Sequence, residues 1–189
     1  MMQRLRGFTL IELMMVIALV AILVTLAAPS FYDLILLQRL KSVTAQVMTD
    51  LQLARTEAAG RNLPVQVRFS SNTAETCYVL YTGHPNDCNC VNTPVCTVSP
   101  QQEVRTVHVP ASTGVSVRTV FAETNPFSYD PATGALTLAA QDTGVDATTP
   151  IRIKSSLDSQ RVLNVLVKYS GRPTLCAPSG STVTGMTAC

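Results

Sequence analysis

The sequence predicts an α+β protein, with one long N-terminal helix, apolar enough in its first half to cross a membrane, packed on antiparallel β-sheet structure. Three observations predict this. Residues Phe8 to Ala28 form an apolar run whose only charge is Glu12. A helical period continues from there to about residue 58. Beyond residue 64 the period changes to two and turn residues recur.

The apolar run holds 21 residues, and at 1.5 Å per helical residue it reaches roughly 31 Å, about one hydrocarbon core. Arg4 and Arg6 precede it with no acidic residue, so the positive-inside bias predicts a cytoplasmic leader and sends everything after Pro29 to the far side. An unpaired charge at the position of Glu12 costs on the order of 3 kcal/mol on insertion scales, which makes it a functional residue by default. A cleaved secretory signal fits poorly, since the stretch is long and holds a Glu, although Thr25-Leu-Ala27 is a weak small-residue cleavage site. A plain signal anchor explains length and orientation and leaves Glu12 unexplained.

Past Pro29, Leu36, Leu40, Val43, Val47, Leu51, Ala54 and Ala58 recur at spacings of three and four, one apolar face of a helix. Gln38, Arg39, Thr49, Asp50 and Arg55 are expected mainly outside that stripe. Gly60 and then Pro64 are expected to end it. The result is a helix of about 50 residues, kinked near Pro29.

The β region follows in short alternating runs. Val65, Val67 and Phe69 lead, then 77 to 82, 104 to 109, Val115 to Phe121, a hairpin from Phe127 to Leu138 around Asp130-Pro-Ala-Thr-Gly134, Ile151 to Lys154, and Leu163 to Tyr169. That makes seven or eight strands. Residues 83 to 100 read as a stapled surface loop, and the tail from Ala177 is rich in Ala, Pro, Ser, Gly and Thr.

With 189 residues, the part beyond the helix suffices for one domain of about 130 residues. The net charge of +2 comes from Arg4 and Arg6, so the rest of the chain is neutral and bulk charge argues for no partner. Its distribution is uneven: Thr73 to Thr149 carries net −5 and Pro150 to Cys189 net +4, which allows a local basic face. Cys77, Cys88, Cys90, Cys96, Cys176 and Cys189 all lie beyond the apolar run, where topology predicts an oxidising compartment, so they read as disulfides. Six cysteines allow 15 connectivities; pairing of Cys176 with Cys189, and within the 77 to 96 group, is expected. A zinc site is the competing reading, with His84 the only nearby partner for Cys88, Cys90 and Cys96.

Enzyme signatures are absent: no G-x-S-x-G, P-loop, G-x-G-x-x-G or H-E-x-x-H occurs. His84 and His108 read as surface residues, and Asp142-Thr-Gly-Val-Asp146 lacks the spacing of a calcium loop. No catalytic residue, metal or cofactor is expected.

Arg6-Gly7-Phe8-Thr9-Leu10-Ile11-Glu12-Leu13, with its apolar run and Pro29, resembles the N-terminal signature of type IV prepilins and type II secretion pseudopilins. The resemblance implies that a prepilin peptidase cuts between Gly7 and Phe8 and methylates the new N-terminus. It also implies assembly into a filament, in which the free amine of a neighbour's Phe8 offsets Glu12. Lys168-Tyr-Ser-Gly171-Arg172-Pro-Thr-Leu-Cys176 resembles the C-terminal region of the GspH/FimT branch. In FimT-like pilins a Gly-Arg-x-Arg tail contacts DNA; here Gly171 and Arg172 match and Thr174 takes the second arginine's place. Arg152, Lys154, Arg161 and Lys168 join Arg172 as candidate DNA contacts if they share a face.

The expected organisation is a leader at 1–7, a transmembrane or filament-core helix at 8–28, an amphipathic continuation at 29–60 and a periplasmic β-rich pilin domain at 61–189. The resemblance implies a minor pilin that primes or caps a type IV pilus. A GspH-like pseudopilin of type II secretion and a DNA-binding minor pilin in transformation are its alternatives. Other pilins, the peptidase, the inner membrane and DNA are the partners it implies.

Overall fold

The computed structural model describes residues 7–97, 102–120, 126–138 and 151–189, apart from the side chains of residues 28 and 29. The chain divides into two compact units, one ending at Leu36 and one beginning at Leu37. Helix α1, Leu10–Arg61, runs through the division and is unbroken at position 29; the bend expected there falls beside the two undescribed side chains. The second unit begins where it does because Leu37 and Leu40 pack against the β structure.

In that unit the helical stripe is buried as its spacing requires: Leu40, Val47, Leu51, Ala54 and Ala58 are at most 1% exposed. Asp50 departs from expectation. It is 2% exposed, inside the stripe rather than beside it, where Tyr78 and Arg105 bind its carboxylate. The helix also ends differently. Gly60 lies within its last turns, and the left-handed residue is Asn62, with φ 53°, while the N–H of Leu63 donates to the carbonyl of Ala58 at 3.3 Å. That is a Schellman-type closure, in which Asn tolerates the positive φ.

Among the described residues nine strands follow: β1 (Val65–Ser71), β2 (Glu75–Thr82), β3 (Gln102–Pro110), β4 (Ser116–Thr119), β5 (Phe127–Tyr129), β6 (Leu136–Leu138), β7 (Ile151–Ser156), β8 (Val162–Val167) and β9 (Pro173–Cys176). They form a five-stranded sheet, β3-β2-β1-β5-β6, and a four-stranded sheet, β4-β7-β8-β9, with every pairing between these strands antiparallel. Strand β9 was not foreseen, because a Pro at its start and a Cys at its end mask a run of only four residues. Tyr169 lies beyond β8 and is 61% exposed, since the chain turns at 168–171 before its side chain can join the inner row.

One core serves both sheets. Inward residues of β1 and β2, of β7 and β8, and the helix stripe form a single buried cluster, and burying a Leu, Ile or Phe in it contributes roughly 1.5–3 kcal/mol. The sheets are tied where the N–H of Val117 on β4 donates to Oγ1 of Thr76 on β2 at 3.1 Å. On the other side of β2, Cys77, Val79 and Tyr81 are covered by the segment carrying Cys88 and Cys90. Disulfides Cys77–Cys90 and Cys88–Cys96 hold that segment down, and Arg68 of β1 donates to the carbonyls of Asn86 and Cys88. The third disulfide, Cys176–Cys189, fixes the tail to β9.

Candidate functional site

The first unit presents a helix start with an unusual surface. Gly7 to Thr9 lie outside the helix, and Phe8 is 85% exposed. Thr9 forms the cap: the N–H of Glu12 donates to its Oγ1 at 3.3 Å, and the N–H of Leu13 donates to its carbonyl at 3.1 Å. Leu10, Ile11, Leu13, Met14, Met15, Val16 and Ile17 follow, interrupted only by Glu12 and all at least half exposed. Consecutive side chains point around the whole circumference, so this is no amphipathic stripe. A helix apolar all round is stable only within lipid or among other helices. The span Leu10–Ala27 is long and apolar enough to cross a membrane, and none of it is buried. Glu12 stands in its first turn, exposed, the one charge in that setting.

The candidate DNA contacts do not form one group. Arg152 and Lys154 alternate outward along β7 while Ile151, Ile153 and Ser155 face the core. The register sets Arg118 of β4 beside Lys154, so three cations occupy the outer face of the four-stranded sheet. Lys168 and Arg172 are exposed and flank the turn between β8 and β9. Arg161 precedes β8 at its other end, about 23 Å from Lys168 for seven steps of extended chain, and its Nε donates to Asp158 at 2.7 Å. Thr174, in the second arginine's place, donates its hydroxyl to the carbonyl of Leu166. The expected shared face thus holds for Arg152 and Lys154 and fails for Arg161, because β8 separates it from the other turn.

Glu75, Cys77 and His108 bring three ligand-type atoms within 4.8 Å of one another. Cys77 is oxidised in a disulfide, however, and offers no thiolate. What remains is an exposed pair, with His108 Nδ1 2.9 Å from Glu75 Oε1. The expected zinc alternative also closes, since Cys88, Cys90 and Cys96 are all in disulfides. Asp142 and Asp146 lie outside the described residues.

Two buried polar sites were missed from sequence. Tyr78 donates to Asp50 Oδ2 at 2.6 Å, and Arg105 Nε lies 3.3 Å from Asp50 Oδ1. Burial, and then the hydrogen bond to Asp50, push the Tyr78 phenol far above its ordinary value. Tyr129 is fully buried, and burial likewise raises its phenol against the opposing influence of Arg55. The signal for Asp50 was present, because it lies three residues after Val47 and four before Ala54, squarely on the stripe. Thr9 was also legible, since Thr-x-x-Glu is the spacing of a helix N-cap.

A family model described as type II transport protein GspH matches residues 43–171. A second, described as the prokaryotic N-terminal methylation motif, matches residues 2–28. Neither a curated protein nor a solved structure matches the chain.

Proposed function

Since this chain belongs to the GspH family and carries the prokaryotic N-terminal methylation motif, we propose that it is a processed, membrane-anchored minor pilin or pseudopilin that acts by entering a filament. In this reading a prepilin peptidase cuts between Gly7 and Phe8 and methylates Phe8. The observation that carries it is the helix start: side chains apolar on every side, with a single carboxylate at Glu12. Lipid accommodates the first feature and penalises the second. A filament core satisfies both, because the neighbouring subunit's Phe8 amine offsets the charge. Arg4 and Arg6 support a cytoplasmic leader and a periplasmic domain.

Within that role, the three disulfides and the Gly171-Arg172 tail favour a minor pilin that primes or caps a type IV pilus. The family's description favours the alternative, a pseudopilin of type II secretion. A deletion strain decides between them: loss of surface pili with normal protein secretion supports the first, and the reverse supports the second. The proposed role does not include DNA, because Thr174 stands where the Gly-Arg-x-Arg tail has its second arginine, and Arg161 lies at the far end of β8 from Lys168 and Arg172, engaged by Asp158. It also assigns no catalytic residue, in keeping with a structural family. N-terminal sequencing of the membrane-extracted chain tests the processing step. The expected end is Phe8, and Gly7→Ala is expected to abolish it; an intact Met1, or an end near Ala28, overturns the reading.

A further inference from the structure

We propose that Thr9 is a positioning residue for leader removal, holding the Gly7–Phe8 peptide outside the helix so that its carbonyl stays open to attack. The inference rests on the processing step above and concerns what makes that bond cleavable.

The helix begins at Leu10 because Thr9 closes its end. Its carbonyl takes the first described rung, from the N–H of Leu13 at 3.1 Å, and its hydroxyl accepts the N–H of Glu12 at 3.3 Å. One of the helix's otherwise unsatisfied N–H donors, that of Glu12, is thereby satisfied at residue 9, and Gly7 and Phe8 remain non-helical. Among the described residues nothing lies within 4 Å of where a Cβ on Gly7 would stand, so none of them crowds the backbone at that residue.

That boundary has a competitor two residues upstream. Gly is about as good an N-cap as Thr, and far better than Ala. If the cap moved to Gly7, the carbonyl of Gly7 would accept the first intrahelical bond, from the N–H of Ile11. This carbonyl belongs to the scissile peptide. Apolar surroundings strengthen the tendency, because lipid supplies no alternative partner for a free N–H. The Thr9 hydroxyl therefore decides on which side of the scissile bond the helix starts.

The test compares rates of leader removal from the full-length chain by pulse-chase in cells that hold a prepilin peptidase. Thr9→Val and Thr9→Ala remove the hydroxyl, and Thr9→Ser and Thr9→Asn keep a capping oxygen. The first two are expected to mature roughly five-fold more slowly, the effect of one lost cap, and the second two at close to the wild-type rate. Rescue by Asn, which shares no shape with Thr, distinguishes capping from direct recognition of the threonine. Wild-type rates for Val and Ala, or Ser and Asn as slow as they are, overturn the inference. A wild-type chain that keeps its leader overturns the processing step itself, and the two failures are told apart by that lane.

Discussion

Gly171 packs its Cα directly against the carbonyl oxygen of Gly134, so closely that a Cβ at Gly171 would overlap that oxygen and press on the Tyr129 ring. Gly171 has φ 75° and Gly134 φ 65°, so both positions are left-handed as well as crowded. The contact joins the turn after β8 to the β5–β6 hairpin, and the N–H of Leu136 donates to the carbonyl of Tyr169 beside it at 2.9 Å. The glycine of the Gly171-Arg172 pair is therefore a structural residue, and its arginine is the exposed one. Gly180 supplies the control, since it has φ 83° and open space around it. Gly180→Ala should cost only the backbone strain, about 1–2 kcal/mol. Gly171→Ala should cost clearly more in urea unfolding of the detergent-solubilised chain, because the obstructing atom is backbone and cannot swing aside.

The Asp50 carboxylate is the polar centre of the helix–sheet contact. Asp50→Ala leaves the Tyr78 hydroxyl buried without its acceptor, and an unsatisfied buried group costs about 1–3 kcal/mol. Arg105→Ala should cost less, since its side chain is 44% exposed and regains water on losing its partner. Unfolding midpoints of the two variants, and of the pair combined, check this. The double variant should fall short of the summed single effects, because both remove the same contact.

Alkali should unfold this domain by a specific route. Burial raises the phenols of Tyr78, Tyr81 and Tyr129 in the folded state. A raised folded value means that the folded chain holds its protons longer than the unfolded chain. The stabilisation is then fully present below the unfolded tyrosine value of about 10 and is lost as pH climbs above it. Absorbance of phenolate followed against pH should show these three groups ionising together with loss of structure. Tyr78→Phe should remove one of them from that late step. Early, independent ionisation of all phenols would contradict the buried geometry.

Much of this architecture was legible because it rests on periodicity. Leu40, Val47, Leu51, Ala54 and Ala58 are buried as their spacing demands, and Ile151 and Ile153 alternate with Arg152 and Lys154 as a half-buried strand should. What escaped was of a different kind. The charge of Asp50 argues for the outer face of the helix although its position fixes its burial, and only Tyr78 and Arg105, 28 and 55 residues further on, make that burial tolerable. Asn62 took the cap that Gly60 was expected to take, because a helix end is chosen within a residue or two by local backbone conformation. The split of Arg161 from Lys168 and Arg172 depends on which end of β8 each occupies, which composition does not encode.

Glu12 gives the proposed role its most direct test. Glu12→Gln keeps the size and the helix start but removes the charge that an isolated subunit holds at a cost in lipid. Two opposite consequences follow from that one change. The variant should be retained in the membrane at least as well as the wild type, since the expense of a lone carboxylate is gone. It should also enter filaments poorly, since nothing remains to favour the neighbour's Phe8 amine over lipid. Leader removal should continue, because the Thr9 cap is formed by the backbone N–H of residue 12, which the substitution preserves. Fractionation into membrane and sheared-filament pools, with Phe8 confirmed as the N-terminus in both, reads all three effects. Filament incorporation at the wild-type level would mean that the carboxylate has no part in assembly, and the filament account of this helix would then lack its reason for tolerating the charge.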